Sequence, residues 1–193
     1  MQPLNSNNQQ AAAEILAAAF ASDPFMQWFS KEPDFIKHLT NCLLPSILKN
    51  GEGYLTDELD GVALWIKPGE KLCLPLNIPL LYKLVRCAGI SILWKFDQLL
   101  FSKGVPAPRP DYYYLFLIGK SPSSTRKGVG SELLQYMLSK CDTLQIPAFL
   151  ENSNESNIPF YQKHGFTILG SKSVAPGSPP LWYMWREPQL PES

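Results

Sequence analysis

Two cations and two glycines stand together in Thr125-Arg126-Lys127-Gly128-Val129-Gly130-Ser131. Apolar residues then recur at 129, 133, 134, 137, 138 and 141, the spacing of one face of an α-helix. A helix that starts here leaves its first N–H groups without intrahelical partners, at the positive end of its dipole. Glycine at 128 and 130 removes the Cβ atoms that would hold a ligand away from that backbone. Such a unit can hold an anion, above all a phosphate or pyrophosphate, with Arg126 and Lys127 adding charge. A tight strand-to-helix turn without a ligand fits the same residues. A nucleotide P-loop does not. Gly119-Lys120-Ser121 has Tyr114 where the earlier glycine is required, and Pro122 blocks a helix directly after it. A dinucleotide fingerprint fails as well, because its first glycine falls at Arg126.

A second group with chemical potential is Glu151, at the end of the apolar run Pro147-Ala148-Phe149-Leu150. A carboxylate closing a buried strand is costly unless it has a task or a partner. It is a candidate base, or else the partner of a nearby backbone donor or arginine. The four cysteines, Cys42, Cys73, Cys87 and Cys141, show no metal or redox spacing, so no metal site is expected. Cys141 falls on the apolar face of the helix after the glycine loop and reads as core packing.

The elements that must position these groups follow from periodicity. Tyr112 to Gly119 is a buried strand leading through turn residues 120–124 into the glycine loop. After the helix come a strand over 147–151, a polar turn over 152–157, a short helix over 158–164 closed by Gly165, and strands over 166–170 and 181–186. Upstream, 9–21 is an alanine-rich helix ended by Asp23-Pro24, 25–29 is a short aromatic segment, and 33–48 is a second helix. Strands over 53–56 and 62–66 are joined with Asp60-Gly61 as the hairpin turn. Residues 71–103 are apolar almost throughout and read as two helices separated near Gly89, either a wall over a pocket or a self-association surface that would make the chain a homodimer.

In this order the chain resembles the GCN5-related N-acetyltransferase (GNAT) family, and within it puromycin N-acetyltransferase-like proteins. The matching residues are Gly128-Val129-Gly130, Leu150-Glu151-Asn152-Ser153, Asn157, Phe160-Tyr161, Gly165-Phe166 and the tail Pro179-Pro180-Leu181-Trp182-Tyr183-Met184-Trp185-Arg186. The resemblance covers roughly residues 11 to 188. It implies an α/β fold with a mixed, twisted central sheet, split near its middle and flanked by helices, in a single domain over 1–193 with the helical insert at about 71–103. It also implies acetyl-coenzyme A as cosubstrate, held by Arg126, Lys127, Gly128, Val129, Gly130, Ser131, Asn157 and Tyr161, with backbone donors at Leu117, Ile118 and Gly119. Residues 25–29 would lie beside the acceptor pocket. The chain departs from the family at Thr125, where Gln or Arg is usual; the loop works mainly through backbone N–H groups, so cofactor binding should survive.

Acyl transfer to an amine needs a group to take the amine's proton and one to give a proton to the leaving thiol. Glu151, at the end of a buried strand, is the candidate base, and the resemblance carried by Asn157, Phe160-Tyr161 and Gly165-Phe166 makes Tyr161 the candidate acid. A thiol titrates near 8.5 and a phenol near 10 in reference peptides, so a neutral Tyr161 can donate to sulfur. Without the resemblance, Tyr161 reads as a core aromatic. His164, before Gly165, reads as structural.

Composition bounds the rest. With 17 basic against 17 acidic residues and no basic stripe, nothing points to nucleic acid or an anionic membrane surface. The longest uncharged apolar stretch, Leu72 to Tyr82, falls short of the ~20 residues of a membrane span. The N-terminus has no secretory pattern, so the expectation is a cytoplasmic enzyme transferring acetyl to a small-molecule amine. A non-catalytic acyl-coenzyme A sensor and a protein N-terminal or lysine acetyltransferase are the alternatives.

Overall fold

The structure, a computed structural model, describes residues 1–32, 34–71, 82, 85–86, 89–101 and 104–189. Seven strands form one sheet: β1 (Gln2–Pro3), β2 (Gly51–Leu55), β3 (Gly61–Ile66), β4 (Tyr113–Lys120), β5 (Ala148–Asn152), β6 (Thr167–Ser173) and β7 (Pro180–Arg186), in the order β1-β2-β3-β4-β5-β7-β6. Only β4 and β5 are parallel neighbours; every other pair is antiparallel. The helices are α1 (Gln9–Ala19), α2 (Pro24–Phe29), α3 (Asp34–Asn50), α4 (Ser91–Phe101), α5 (Val129–Leu144) and α6 (Ile158–Lys163).

The periodic positions explain the layers. Helix α5 buries Val129, Leu133, Leu134, Met137, Leu138 and Cys141, the stripe expected from the sequence, against Trp65, Tyr113, Leu115 and Leu150 of the sheet. On the opposite face, Ala12 and Leu16 of α1 meet Leu43 and Ile47 of α3 over Leu55, Val62 and Leu64. The small alanine face of α1 allows a close crossing. A third cluster gathers Phe25 and Phe29 of α2, Phe96 of α4, Phe149 of β5 and Tyr183 and Trp185 of β7. Helix α2 exists because Asp23 caps it, accepting from the Phe25 and Met26 N–H groups, with Pro24 in its first turn.

Several expectations shift. The β2–β3 turn is not made by Asp60-Gly61: the left-handed residue is Leu59 (φ 53°), Asp60 is an ion-pair anchor, and Gly61 already belongs to β3. The break near Gly89 is present, with Gly89 at φ 75° and its N–H donating to Val85 O at 2.8 Å. Most of the first helix of the 71–103 segment, with Cys73 and Cys87, lies outside the described residues. The Gln2–Pro3 edge strand was not legible in two residues of sequence. Among the described residues no helix is long and apolar enough to cross a membrane, and no group of His, Cys, Asp or Glu could hold a metal ion.

The last strand is fastened by one buried cation. Arg186 donates to Asp142 Oδ1 at 2.6 Å and Oδ2 at 2.8 Å at the end of α5, and to His164 O at 3.0 Å after α6. Burial pushes the Asp142 carboxyl up, but the Arg186 bonds and the Gln189 N–H pull it further down, leaving it below its ordinary 3.8. Its contribution to stability is therefore present above the unfolded value and fades as pH falls through the lower folded one. Arg186→Ala leaves Asp142 without its counter-charge and is expected to cost about 3–5 kcal/mol in urea unfolding at pH 7. The gap to wild type should narrow on acidification through pH 4. A cost below about 0.5 kcal/mol, the range of ordinary surface substitutions, would mean that the pair does not fasten β7.

Candidate active site

Strands β4 and β5 pair over only three positions, Tyr113–Ala148, Tyr114–Phe149 and Leu115–Leu150. Beyond them β4 continues with β3 as far as Gly61–Lys120, while β5 continues with β7 through Glu151–Tyr183 and Asn152–Trp182. The facing edges, from Phe116 on one side and Glu151 on the other, have no strand between them. Their backbone N–H and C=O groups need partners from elsewhere. The register of β4 also shifts at this point: Leu64 faces Leu117 and Trp65 faces Leu115, so Phe116 is an extra residue. Leu115 and Ile118 consequently share the α5 side of the sheet, while Tyr114, Phe116 and Leu117 face the other. A bulge of this kind bends the strand and redirects its side chains.

The expected backbone donors lie in this opening. Leu117 and Ile118 are half-buried and line a cavity of about 220 Å³, and Gly119 is buried beneath Ala19 and Leu16 of α1. The same cavity brings together Glu151, Asn152 and Ser153 from the end of β5, Asn157 just before α6, and Tyr161 on α6. Its other wall is Phe25, Met26 and Phe29 of α2, Ile36 and Leu39 of α3, and Phe96 and Leu99 of α4. The 71–103 segment thus reaches the cavity through Phe96 and Leu99. Leu93 and Trp94 are instead exposed, and Trp94 packs edge-on against Trp28.

Glu151 faces the cavity because β5 alternates: Leu150 belongs to the α5-side core, and the next residue points to the other face. Its carboxylate has no hydrogen-bond or ion-pair partner among the described residues, and burial alone raises its pKa to about 7. A carboxylate so placed is half ionised near neutrality, the condition of a usable base. The phenols around it are held neutral. Burial first, and the Glu151 charge second, raise Tyr112, Tyr114 and Tyr183, the last to about 12. Tyr161 is raised above its ordinary 10 by burial and then by the charge of Asp23, so it stays protonated as a donor must. Asp23 went unread in the sequence as a site residue. It caps α2 and accepts from Ser153 Oγ at 2.5 Å, tying the cavity's aromatic wall to the end of β5. The DP pair was its only signal, and that reads equally as a helix stop.

The glycine loop lies at the start of α5. Gly128 caps that helix at φ 80°, and a Cβ built there would meet nothing within 4 Å. Its left-handed backbone and the open space before it leave the first N–H groups of α5 accessible, which fits a pyrophosphate. Gly130 and Ser131 are half-buried, Val129 anchors the turn in the core, and Thr125 and Lys127 are exposed. Arg126 is placed differently from the sequence expectation of a cation beside the anion. Its guanidinium turns to the β2–β3 turn, with Nε and an Nη on Asp60 at 3.1 and 2.8 Å, Glu132 at 2.5 Å and Glu58 at 3.4 Å. The Arg126 bonds hold the Asp60 carboxyl well below the usual carboxylate range. Gly61 next to it lets the turn approach α5, since a Cβ there would lie 2.5 Å from Val129 Cγ1. Lys120 Nζ donates to Arg126 O at 2.7 Å. Three carboxylates and a second lysine therefore shape the loop, and Lys127 is its exposed cation. His164, with Nδ1 2.8 Å from Phe160 O, is built into the fold, and burial raises Cys141 to about 12 within the core.

A model of the acetyltransferase (GNAT) family matches residues 52–166. An uncharacterized N-acetyltransferase of Schizosaccharomyces pombe is 24% identical over 209 residues, covering 96% of this chain and 82% of that protein. A crystal structure from Corynebacterium glutamicum, described as histone acetyltransferase HPA2 and related acetyltransferase, superposes with a TM-score of 0.69 at 22% identity over all of both chains. Arylalkylamine N-acetyltransferase 2 of Aedes aegypti superposes at 0.60 with 14% identity, over 97% of this chain and 98% of that one. At these identities the two structures speak for the fold, and the family match covers more than half of the chain. This chain is a member of the GNAT family of acetyltransferases.

Proposed function

We propose that the chain transfers acetyl from acetyl-coenzyme A to the amine of a small molecule, with Glu151 as the base and Tyr161 as the acid. The observation that carries this reading is the unpartnered Glu151 carboxylate, raised to about 7 by burial in a cavity it shares with Tyr161. Acetyl-coenzyme A, when bound, supplies the acetyl group and a thiol leaving group. The α5 N-terminus with Gly128, Val129, Gly130, Ser131 and Lys127 would hold the pyrophosphate. The unpaired β4 edge at Leu117 to Gly119 would give an N–H to the thioester carbonyl, a contact of a kind worth a few kcal/mol. Asn157 and Tyr161 line the cavity, and Phe160 beside Tyr161 packs close to Gly130 of the loop. Amines arrive as ammonium ions, with a reference pKa near 10.4 for lysine, so a nearby carboxylate must accept a proton before attack. Above about pH 7 Glu151 is ionised and accepts it, while the Tyr161 hydroxyl donates to sulfur. Arg126 acts by holding the loop against Asp60. The small, largely apolar cavity and the likeness of the 179–186 tail to puromycin N-acetyltransferase-like proteins support a small-molecule acceptor in a single domain.

Gly128→Asn tests the loop. Asparagine tolerates a left-handed backbone better than other side chains, so the melting temperature should stay within a few degrees. The added side chain occupies the open space, and calorimetric affinity for acetyl-coenzyme A should fall by at least about tenfold, or ~1.4 kcal/mol. Unchanged affinity would make the loop a bare turn.

Glu151→Gln tests the base. Wild-type kcat/KM should rise with pH to a plateau above about 7; the variant should lose that step and about 10²–10⁴ of the rate. Stability moves the other way. The folded pKa of about 7 lies above the ordinary 4.5, so Glu151 favours folding while protonated and loses that contribution as pH rises through 7. That interval, at about 1.36 kcal/mol per pH unit, makes the variant about 3 kcal/mol more stable at pH 8, with the advantage vanishing towards pH 4.5. Tyr161→Phe, by contrast, should lower kcat without removing the pH step. An unaltered pH profile in Glu151→Gln would remove Glu151 from the chemistry.

A further inference from the structure

We infer that the acceptor is an apolar, preferably aromatic, amine that carries no carboxylate or phosphate. This rests on the acetyl-transfer site proposed above and names the chemistry of its second substrate. Its basis is the make-up of the cavity. Phe20, Phe25, Phe29, Phe96, Phe116 and Leu181 supply a continuous apolar wall. The ionisable groups among the described lining residues are Asp23, Glu151, Tyr114 and Tyr161, with no lysine, arginine or histidine.

The two carboxylates are not equivalent. Asp23 accepts three hydrogen bonds, from Phe25 N, Met26 N and Ser153 Oγ, and is consumed by the fold. Glu151 has no partner among the described residues, so the cavity as described contains one unsatisfied anionic position in largely apolar surroundings. An amine on a hydrocarbon or aryl body complements both features at once: its body buries apolar area and its ammonium meets Glu151. An anionic substituent would lose its hydration with no cation to receive it and would lie close to Glu151. Sugar-like amines fit less well, since the lining has few neutral polar side chains, Thr40, Asn152, Ser153 and Asn157, and most of a sugar's hydroxyls would be buried against hydrocarbon.

Lys95, a cation near this wall, does not supply the missing charge. Its Nζ donates to the carbonyls of Trp28 and Phe29 and sits 5.2 Å from the centre of the Trp28 ring. It closes the C-terminal end of α2 and ties α2 to α4, which fixes the aromatic wall in place.

Matched acceptors that differ by one group test the inference. With coenzyme A present, calorimetry compares 2-phenylethylamine with phenylalanine, tryptamine with tryptophan, and both amines with glucosamine; thiol release from acetyl-coenzyme A is followed on the same panel. The decarboxylated amines should bind at least about a hundredfold more tightly than their amino acids, the scale of a like-charge contact, and glucosamine should not bind. The same ranking in binding without any thiol release would leave the acceptor inference standing and overturn the proposed transfer. Equal binding of amine and amino acid, preference for glucosamine, or no binding by any of them would overturn the inference.

Discussion

The early separation of two parallel strands governs the rest of this molecule. β4 and β5 share three paired positions and then part, each still paired to its outer antiparallel neighbour. Unpaired strand edges inside a protein must be given partners, so the opening is tolerated where a ligand's own polar groups can serve. Three consequences follow from the same geometry. The bulge at Phe116 re-aims the side chains of β4, the alternation of β5 turns Glu151 towards the cavity, and α5 packs on the sheet face opposite to it.

The site is assembled with two kinds of electrostatic arrangement. Around the glycine loop charges are matched: Arg126 lies among Asp60, Glu132 and Glu58, and a lysine holds its carbonyl. These groups are partly exposed, so their value lies in the geometry they impose, since exposed pairs contribute little to stability. In the cavity the charge is left unmatched. Among the described residues no cation pairs with Glu151, which costs the fold stability above neutral pH and yields a carboxylate that takes protons near pH 7. Strain of this sort persists where surrounding structure over-determines it, here the mainly aliphatic cluster on one side of β5 and β7 and the aromatic one on the other.

Much of this was legible in the sequence because it is written in local patterns. The α5 stripe, the glycine loop and the strand ending in Glu151 each follow from a period and a punctuating residue. What was not legible depends on distant partners. The destination of Arg126 is set by Asp60, 66 positions earlier; from sequence it stands only beside the loop it braces. Asp23 and Ser153 meet across 130 positions. The extra residue at Phe116 leaves no trace in the run Tyr112 to Gly119, since every residue before the glycine is apolar or aromatic and either face would suit it. Composition alone leaves the 71–103 segment as either a wall over a pocket or a self-association surface. Its described part does reach the cavity, but through Phe96 and Leu99, because helix phase decides which apolar residues turn inward and an almost uniformly apolar sequence does not encode that phase.

The parting of the strands leaves the Glu151 carboxylate without a partner among the described residues in a largely apolar cavity, with its proton affinity raised by that placement. Infrared difference spectroscopy on protein carrying carbon-13-labelled glutamate, comparing wild type with Glu151→Gln across pH, reads this directly. A protonated-carboxyl band should be present in wild type, be absent from the variant, and disappear with a midpoint at about 7. A midpoint near the ordinary 4.5 would contradict it, because Glu151 would then be solvated or paired and the cavity would hold no poised base.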